Sequence, residues 1–155
     1  MHYLDASALV KLFVVENGSS VLRDYVSEHS VFSTTSICFA EVLGVLKSKF
    51  LRKLLLQEDY LAACEELTAC IRNGEIKIED IGISDRSVFD QVEDIARKYT
   101  LDISDAFQIV TLKIGIFSLL KIDYKPIMIT ADKALAKAAI NDGLMVWDCL
   151  SEPSP

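Results

Sequence analysis

Two hydrophobic rhythms alternate along this chain. Short apolar runs bounded by turn residues give way to longer stretches whose apolar positions recur every three or four residues, the spacing of a helix face. His2 to Ala6 predicts a first strand, and Ser7 to Val15 a helix with Leu9, Val10, Leu12 and Phe13 available for packing. Asn17-Gly18 breaks it, and Ser19 to Glu28 predicts a second helix. Val31 to Thr34 is β-prone, and Ser36 is a good N-cap for a helix running to about Phe50. Gln57 to Arg72 predicts another helix, with Leu61, Cys64 and Leu67 at helical spacing and Asn73-Gly74 as its end. Ile76-Lys77-Ile78 alternates briefly and reads as strand or loop. Ser84 caps a helix to about Tyr99, and Asp102 one to about Ile116. Gly115 to Lys125 is ambiguous. Pro126 to Thr130 predicts a buried strand, Asp132 to Asn141 a helix ended by Asp142-Gly143, and Leu144 to Trp147 a last strand. Strands alternating with helices of this length predict a three-layer α/β/α domain with a mainly parallel central sheet. One domain over residues 1–150 is expected, with a frayed tail at 151–155.

The chain has 155 residues, 51% hydrophobic and 25% charged, which describes a globular domain able to bury its own core. Mean hydropathy of +0.29 is high for this size, so part of the apolar surface is expected to lie against another chain. Net charge is −7, which counts against a binder that relies on diffuse attraction to phosphates, and less against a metal-dependent nuclease whose acids bound cations would neutralise. Cys38, Cys64, Cys70 and Cys149 form no CxxC pair, and His2 and His29 are the only histidines, so zinc chemistry is not expected. Cys38 and Cys64 fall in apolar helical stretches and read as small core residues. Reduced thiols make the cytosol the natural setting. No secretory leader is read at the first strand, and no apolar run approaches the ~20 residues of a membrane span.

Four carboxylates stand in positions that solubility does not explain. Asp5 ends the first apolar run and Asp132 follows Ile127-Met128-Ile129-Thr130-Ala131. Ends of parallel strands are where sites form, so both are expected at one rim. Each also fits a helix-start acid, with Thr130 as an alternative cap for the helix at Asp132. Glu41 has Ile37 one turn before it and Val45 one turn after, an apolar face on which an unpaired carboxylate is costly. Snorkelling, or pairing with Lys47, is the alternative. Asp105 lies three residues after Asp102, as in a capping box, yet it starts the inward stripe Asp105, Ile109, Leu112. Asp102 is therefore read as the cap and Asp105 as the functional residue. Ser7 and Thr130 stand two residues from Asp5 and Asp132, as helix caps or as hydroxyl partners of the acids. Gathered together, these acids cannot all stay ionised without a cation, and oxygen-only donors suit Mg²⁺ or Mn²⁺. A divalent-metal site performing phosphodiester chemistry is the reading that follows. Lys11, Lys47, Lys49, Arg52 and Lys53 are candidate phosphate contacts, although Lys47 to Lys53 reads first as a solvated helix end.

Leu4-Asp5-Ala6-Ser7-Ala8-Leu9, Phe39-Ala40-Glu41-Val42, Leu101-Asp102-Ile103-Ser104-Asp105-Ala106 and Ile129-Thr130-Ala131-Asp132-Lys133, in that order, resemble the motifs of the PIN-domain family. The likeness covers nearly the whole chain and is nearest to small VapC-like proteins. It implies a Mg²⁺- or Mn²⁺-dependent endoribonuclease acting on RNA, commonly the toxin of a toxin–antitoxin pair. It further implies a homodimer and a cognate antitoxin that covers the acidic site, with Asp5, Glu41, Asp105 and Asp132 as catalytic and metal-holding residues.

Other chemistries fit less well. An aspartyl-nucleophile phosphatase needs a second aspartate two residues after the first, where Ser7 stands. A phospho-acceptor receiver needs an accepting aspartate on a middle strand, and Val31 to Thr34 has none. Six glycines form no phosphate loop. The main rival is a PIN-like scaffold that binds RNA or protein without turnover.

Overall fold

The computed structural model describes residues 1–120 and 124–155. Its elements are β1 (His2–Leu4), α1 (Ala6–Phe13), α2 (Ser19–Ser27), β2 (Phe32–Thr34), α3 (Ser36–Leu51), α4 (Gln57–Arg72), β3 (Ile76–Ile78), α5 (Arg86–Tyr99), α6 (Ile103–Lys113), β4 (Ile127–Thr130), α7 (Lys133–Asn141) and β5 (Met145–Asp148), with a 3₁₀ turn at Gly115–Leu119. The strands lie in the order β3-β2-β1-β4-β5, and every neighbouring pair is parallel. Parallel neighbours require crossover connections, and the helices supply them. The chain steps outward from β1 to β3, then returns to the other side of β1 for β4.

That reversal creates two helical layers. Strand residues alternate faces, so Leu4 and Ile129 enter one core with Leu9, Val42 and Leu67, while Tyr3 and Met128 enter a second with Ile109, Leu112 and Leu135. The first core packs α1, α3 and α4 on the sheet, the second α5, α6 and α7. The result is the α/β/α sandwich expected, with a sheet that is wholly parallel. Among the described residues, no helix is long and apolar enough to cross a membrane.

Several boundaries differ from the pattern-based expectation. Asp5 itself is the N-cap of α1, its Oδ1 accepting from Ala8 N at 2.8 Å, so β1 stops at Leu4. Thr35, not Ser36, caps α3: it has the extended backbone a cap requires, and its Oγ1 accepts from Cys38 N at 3.3 Å. Asp85 rather than Ser84 precedes α5, without a side-chain cap bond. Asp132 rather than Thr130 caps α7. α6 stops at Lys113 because Gly115 takes φ 65° and turns the chain into the 3₁₀ segment. Of the ambiguous Gly115 to Lys125 stretch, residues 121–123 lie outside the described residues. Leu61 is exposed and Cys64 half-buried, because the core stripe of α4 runs through Ala63 and Leu67 instead. Gly18 holds φ 85°, and a Cβ there would meet Leu150 Cδ2 at 2.6 Å, so the turn needs glycine. Ser151 and Glu152 are bonded to Asp148 O, and Trp147 Nε1 donates to Glu152 O at 3.2 Å, so the hydrogen-bonded chain reaches Glu152.

Candidate active site

β1 and β4 are neighbours, yet their connections leave in opposite directions along the sheet. A crevice opens at the carboxyl ends of strands related in this way. Asp5 stands directly after β1, and Asp132 two residues after β4, so the topology puts both acids at that crevice. Glu41 arrives from the first helical layer, on the α3 face that also carries Gly44, Val45 and Ser48. Asp105 arrives from the second layer, in the first turn of α6. All four acids line one cavity of about 640 Å³.

The Asp5 carboxylate is buried at 2% exposure and tightly held. Ser7 Oγ lies 2.9 Å from both of its oxygens, and Thr130 Oγ1 donates to Oδ2 at 2.9 Å. The two hydroxyls in turn accept backbone N–H groups, Ser7 from Ala131 at 2.8 Å and Thr130 from Asp132 at 2.9 Å. These N–H groups sit beside the start of α7, where helix geometry leaves donors without intrahelical partners. One small network thus joins the β1–α1 turn to the β4–α7 turn and fixes Asp5 between them. Of the two roles open to Ser7 and Thr130, the structure has them as partners of a cluster carboxylate. Asp132 is exposed, and its Oδ1 accepts from Ala134 N at 2.7 Å and Leu135 N at 3.0 Å.

Asp102 is the cap of α6, accepting from Asp105 N at 2.9 Å, as the capping-box spacing predicts. Asp105 is half-buried, with Gln108 Nε2 at 3.4 Å from its Oδ1. Glu41 is half-buried and has no ion pair among the described residues. Lys47 is not its partner: the ammonium lies 5.1 Å from the Phe50 ring centre and 5.5 Å from that of Tyr60. Glu41 and Val45 border the cavity, Ile37 packs against the second core, and Cys38, Val42 and Leu46 are buried.

Two of these acids hold their protons more tightly than a free carboxylate does. Burial pushes Asp105 up to about 7, helped by the negative charges of Asp102, Asp132, Asp5 and Glu41. Burial likewise pushes Asp5 up to about 6, although its hydrogen bonds from Ala8, Thr130 and Ser7 work in the other direction.

The donor set is entirely oxygen and strongly negative, which fits a hard divalent cation. Among the described residues, however, no group of three or more His, Cys, Asp or Glu side chains is arranged to hold a metal ion unaided. Asp5 already accepts from three donors, Ala8 N, Ser7 and Thr130, and Asp132 spends one oxygen on capping. Asp105, Glu41 and the second oxygen of Asp132 are the donors left over, with water needed to complete any ligand shell.

Lys11, Glu16 and Lys49 also line this cavity. Lys11 is buried at 6% exposure, its Nζ donating to Glu16 Oε1 at 2.7 Å and Asn17 O at 2.9 Å, and Lys49 donates to Glu16 Oε2 at 2.8 Å. Of the lysines and arginines singled out in the sequence, Lys11 and Lys49 reach the cavity, and Lys47, Arg52 and Lys53 do not. Sequence reasoning missed Glu16, Gln108 and Gly44. Glu16 is five residues from Lys11, a spacing that joins no helix face, so nothing local marks the pair. Gln108 is 1% exposed, and its Oε1 has no hydrogen-bond partner among the described residues.

Comparison with known proteins agrees with this architecture. The PIN domain family matches residues 2–141. A crystal structure of PAE2754 from Pyrobaculum aerophilum superposes with a TM-score of 0.60 at 19% identity, over 94% of this chain and 89% of that one. That likeness is one of fold. No curated protein sequence matches.

Proposed function

The chain belongs to the PIN domain family, whose members are generally Mg²⁺- or Mn²⁺-dependent nucleases, and from that premise we propose that it is an endoribonuclease cutting RNA at the four-carboxylate cavity. The observation that carries the reading is the cavity itself: Asp5, Glu41, Asp105 and Asp132 come from both helical layers into one pocket, at an electrostatic cost that a bound cation would relieve. Asp105, Glu41 and Asp132 would hold the cation directly or through water. Asp5, clamped by Ser7 and Thr130, would fix the position of the cluster. When bound, the cation supplies charge compensation at the attacked phosphate and a more acidic water.

The chain's own residues then determine the chemistry. Neither His2 nor His29 lines the cavity, so no imidazole pair is available for attack by the 2′-hydroxyl. Water is the nucleophile in this reading. Its proton passes to a cavity carboxylate that is not occupied by the cation. The water's oxygen bonds to phosphorus as the P–O3′ bond breaks, leaving a 5′-phosphate on one product, and the departing 3′-oxygen takes a proton from solvent to become the 3′-hydroxyl of the other.

A toxin role, a VapC-like subtype, a homodimer and a cognate antitoxin extend this reading. They are supported by the four motifs in order and by the exposed Leu51, Leu54, Leu56 and Leu61 at the α3–α4 connection, apolar surface that a partner chain would cover. The rival scaffold reading draws on one observation: Asp5, Asp102 and Asp132 all cap helices, which explains those three acids without catalysis.

Calorimetric Mn²⁺ titration separates the two. The wild type is expected to bind, and Asp5→Asn and Asp105→Asn to bind at least about tenfold more weakly while keeping wild-type circular dichroism. Cleavage of RNA in Mn²⁺ should be lost in both variants. Full Mn²⁺ affinity in both folded variants would sink the metal assignment and favour the scaffold.

A further inference from the structure

The cavity is a trough between two helices, and it is electrically divided along its length. α1 lines it with Ala6, Ser7, Val10 and Lys11, and α3 with Glu41, Gly44, Val45, Ser48 and Lys49, each a single helix face. The acids stand at one end. Lys11 lies about 9 Å along α1 from Asp5, and Lys49 about 12 Å along α3 from Glu41, at 1.5 Å per residue. Among the described residues these two lysines are the cations lining the trough. Between the ends, Gly44 leaves the wall without a side chain, and a Cβ there would meet nothing within 4 Å.

The lysines share one carboxylate. Glu16 accepts from both, so the triad keeps a net charge of +1. Lys11 spends two ammonium hydrogens on Glu16 and Asn17 O, and Lys49 spends one on Glu16. Three ammonium hydrogens remain between them, in a wall facing a cavity that is otherwise acidic. A tether for the α1–α2 connection needs only the buried Lys11. Lys49, brought from α3 and a quarter exposed, adds a positive charge that the tether does not require.

We propose that Lys11 and Lys49, gathered by Glu16, form a seat for a non-scissile phosphate of the RNA strand, one that draws the neighbouring phosphate to the acids. The proposal rests on the ribonuclease reading above. An ammonium is a point charge suited to phosphate, and the seat supplies attraction that the net charge of −7 denies the surface at large. Glu16 sets the seat's strength, since it neutralises one of the two charges.

The test is cleavage of a short random-sequence single-stranded RNA in Mn²⁺ between roughly 50 and 200 mM salt. Lys49→Gln is expected to raise KM about tenfold at low salt with kcat little changed. It should also make the log–log salt dependence of kcat/KM shallower by about 0.7, the value for one phosphate contact on a single strand. Lys49→Arg, which keeps the charge, should hold the wild-type slope. Glu16→Gln should steepen it, because a charge is unmasked, even though the tether weakens and Tm falls. A wild-type slope in Lys49→Gln, an equal loss of slope in Lys49→Arg, or a shallower slope in Glu16→Gln overturns the phosphate seat and leaves the nuclease reading standing. A wild type that cleaves no RNA overturns both together.

Discussion

Both oxygens of the Asp5 carboxylate already accept hydrogen bonds within the chain, so its environment is built before any ligand arrives. Thr130→Val removes a donor to Asp5 and an acceptor for Asp132 N at once. We expect a loss of roughly 1–3 kcal/mol, read as a lower urea midpoint, because buried partners are left unsatisfied. Asp5 and Asp105 also set a pH dependence. Their folded values, about 6 and about 7, lie above the ordinary carboxylate range, so the folded metal-free chain takes up protons more readily than the unfolded chain. This contribution is fully present below about pH 4 and is lost as pH rises through about 6 to 7. In chelator the stability advantage of the wild type over Asp5→Asn is expected to be larger at pH 5 than at pH 7.5, with Asp5 contributing at most about 3 kcal/mol. The comparison with the variant is needed because burial pushes His2 down to about 4, which works against folding in the same window. Divalent metal should reverse the order, since it competes with those protons. A wild-type advantage over Asp5→Asn that shrinks on acidification through this window would count against the crowded cluster.

At the scale of elements, α3 carries a glycine in its middle, where glycine costs a helix up to about 1 kcal/mol relative to alanine. Open space around the Gly44 Cα shows that packing does not demand it. Gly44→Ala should therefore raise Tm, by an amount equivalent to about 0.5–1 kcal/mol. Gly44→Leu would project a side chain into the trough and is expected to lower RNA cleavage at least about tenfold by raising KM, with Mn²⁺ affinity and fold intact. Unchanged cleavage in the leucine variant would mean that the strand does not pass this wall. The helices themselves were legible in the sequence because their apolar spacing is local. Their caps were less so. Ser36 and Ser84 have the right chemistry, but backbone geometry places the caps at Thr35 and Asp85, one residue away. Leu61 was misjudged because helical spacing identifies a face without identifying what the face meets.

Over the whole molecule, the second helical layer is fastened at Asp142. Its carboxylate is 3% exposed, and it accepts from Lys98 and Tyr99 at the end of α5, each at 2.9 Å, and from Lys113 at the end of α6. Burial raises this group, but Lys113, Lys98 and Tyr99 outweigh it and hold Asp142 down to about 2. Its contribution is present above the unfolded value near 4 and is lost as pH falls toward 2. Asp142→Asn should cost about 1 kcal/mol at pH 7, an estimate discounted for the half-exposed lysines. In acid denaturation the difference between variant and wild type should close below about pH 3. A constant difference at all pH values would mean that shape, not charge, makes the link.

The sequence by itself determined the alternation of strands and helices, hence a layered domain, because hydrophobic period and turn residues act over a few neighbours. It also marked Asp5, Glu41, Asp105 and Asp132, since a carboxylate in an apolar context is conspicuous without coordinates. Only the tertiary structure decided that these four share a cavity. Their convergence depends on the order β3-β2-β1-β4-β5, which follows from long-range pairing that no local pattern encodes. The same holds for Glu16 between Lys11 and Lys49. Lys49 is 33 residues from Glu16, and only the packing of α3 against α1 brings their charges within hydrogen-bond reach.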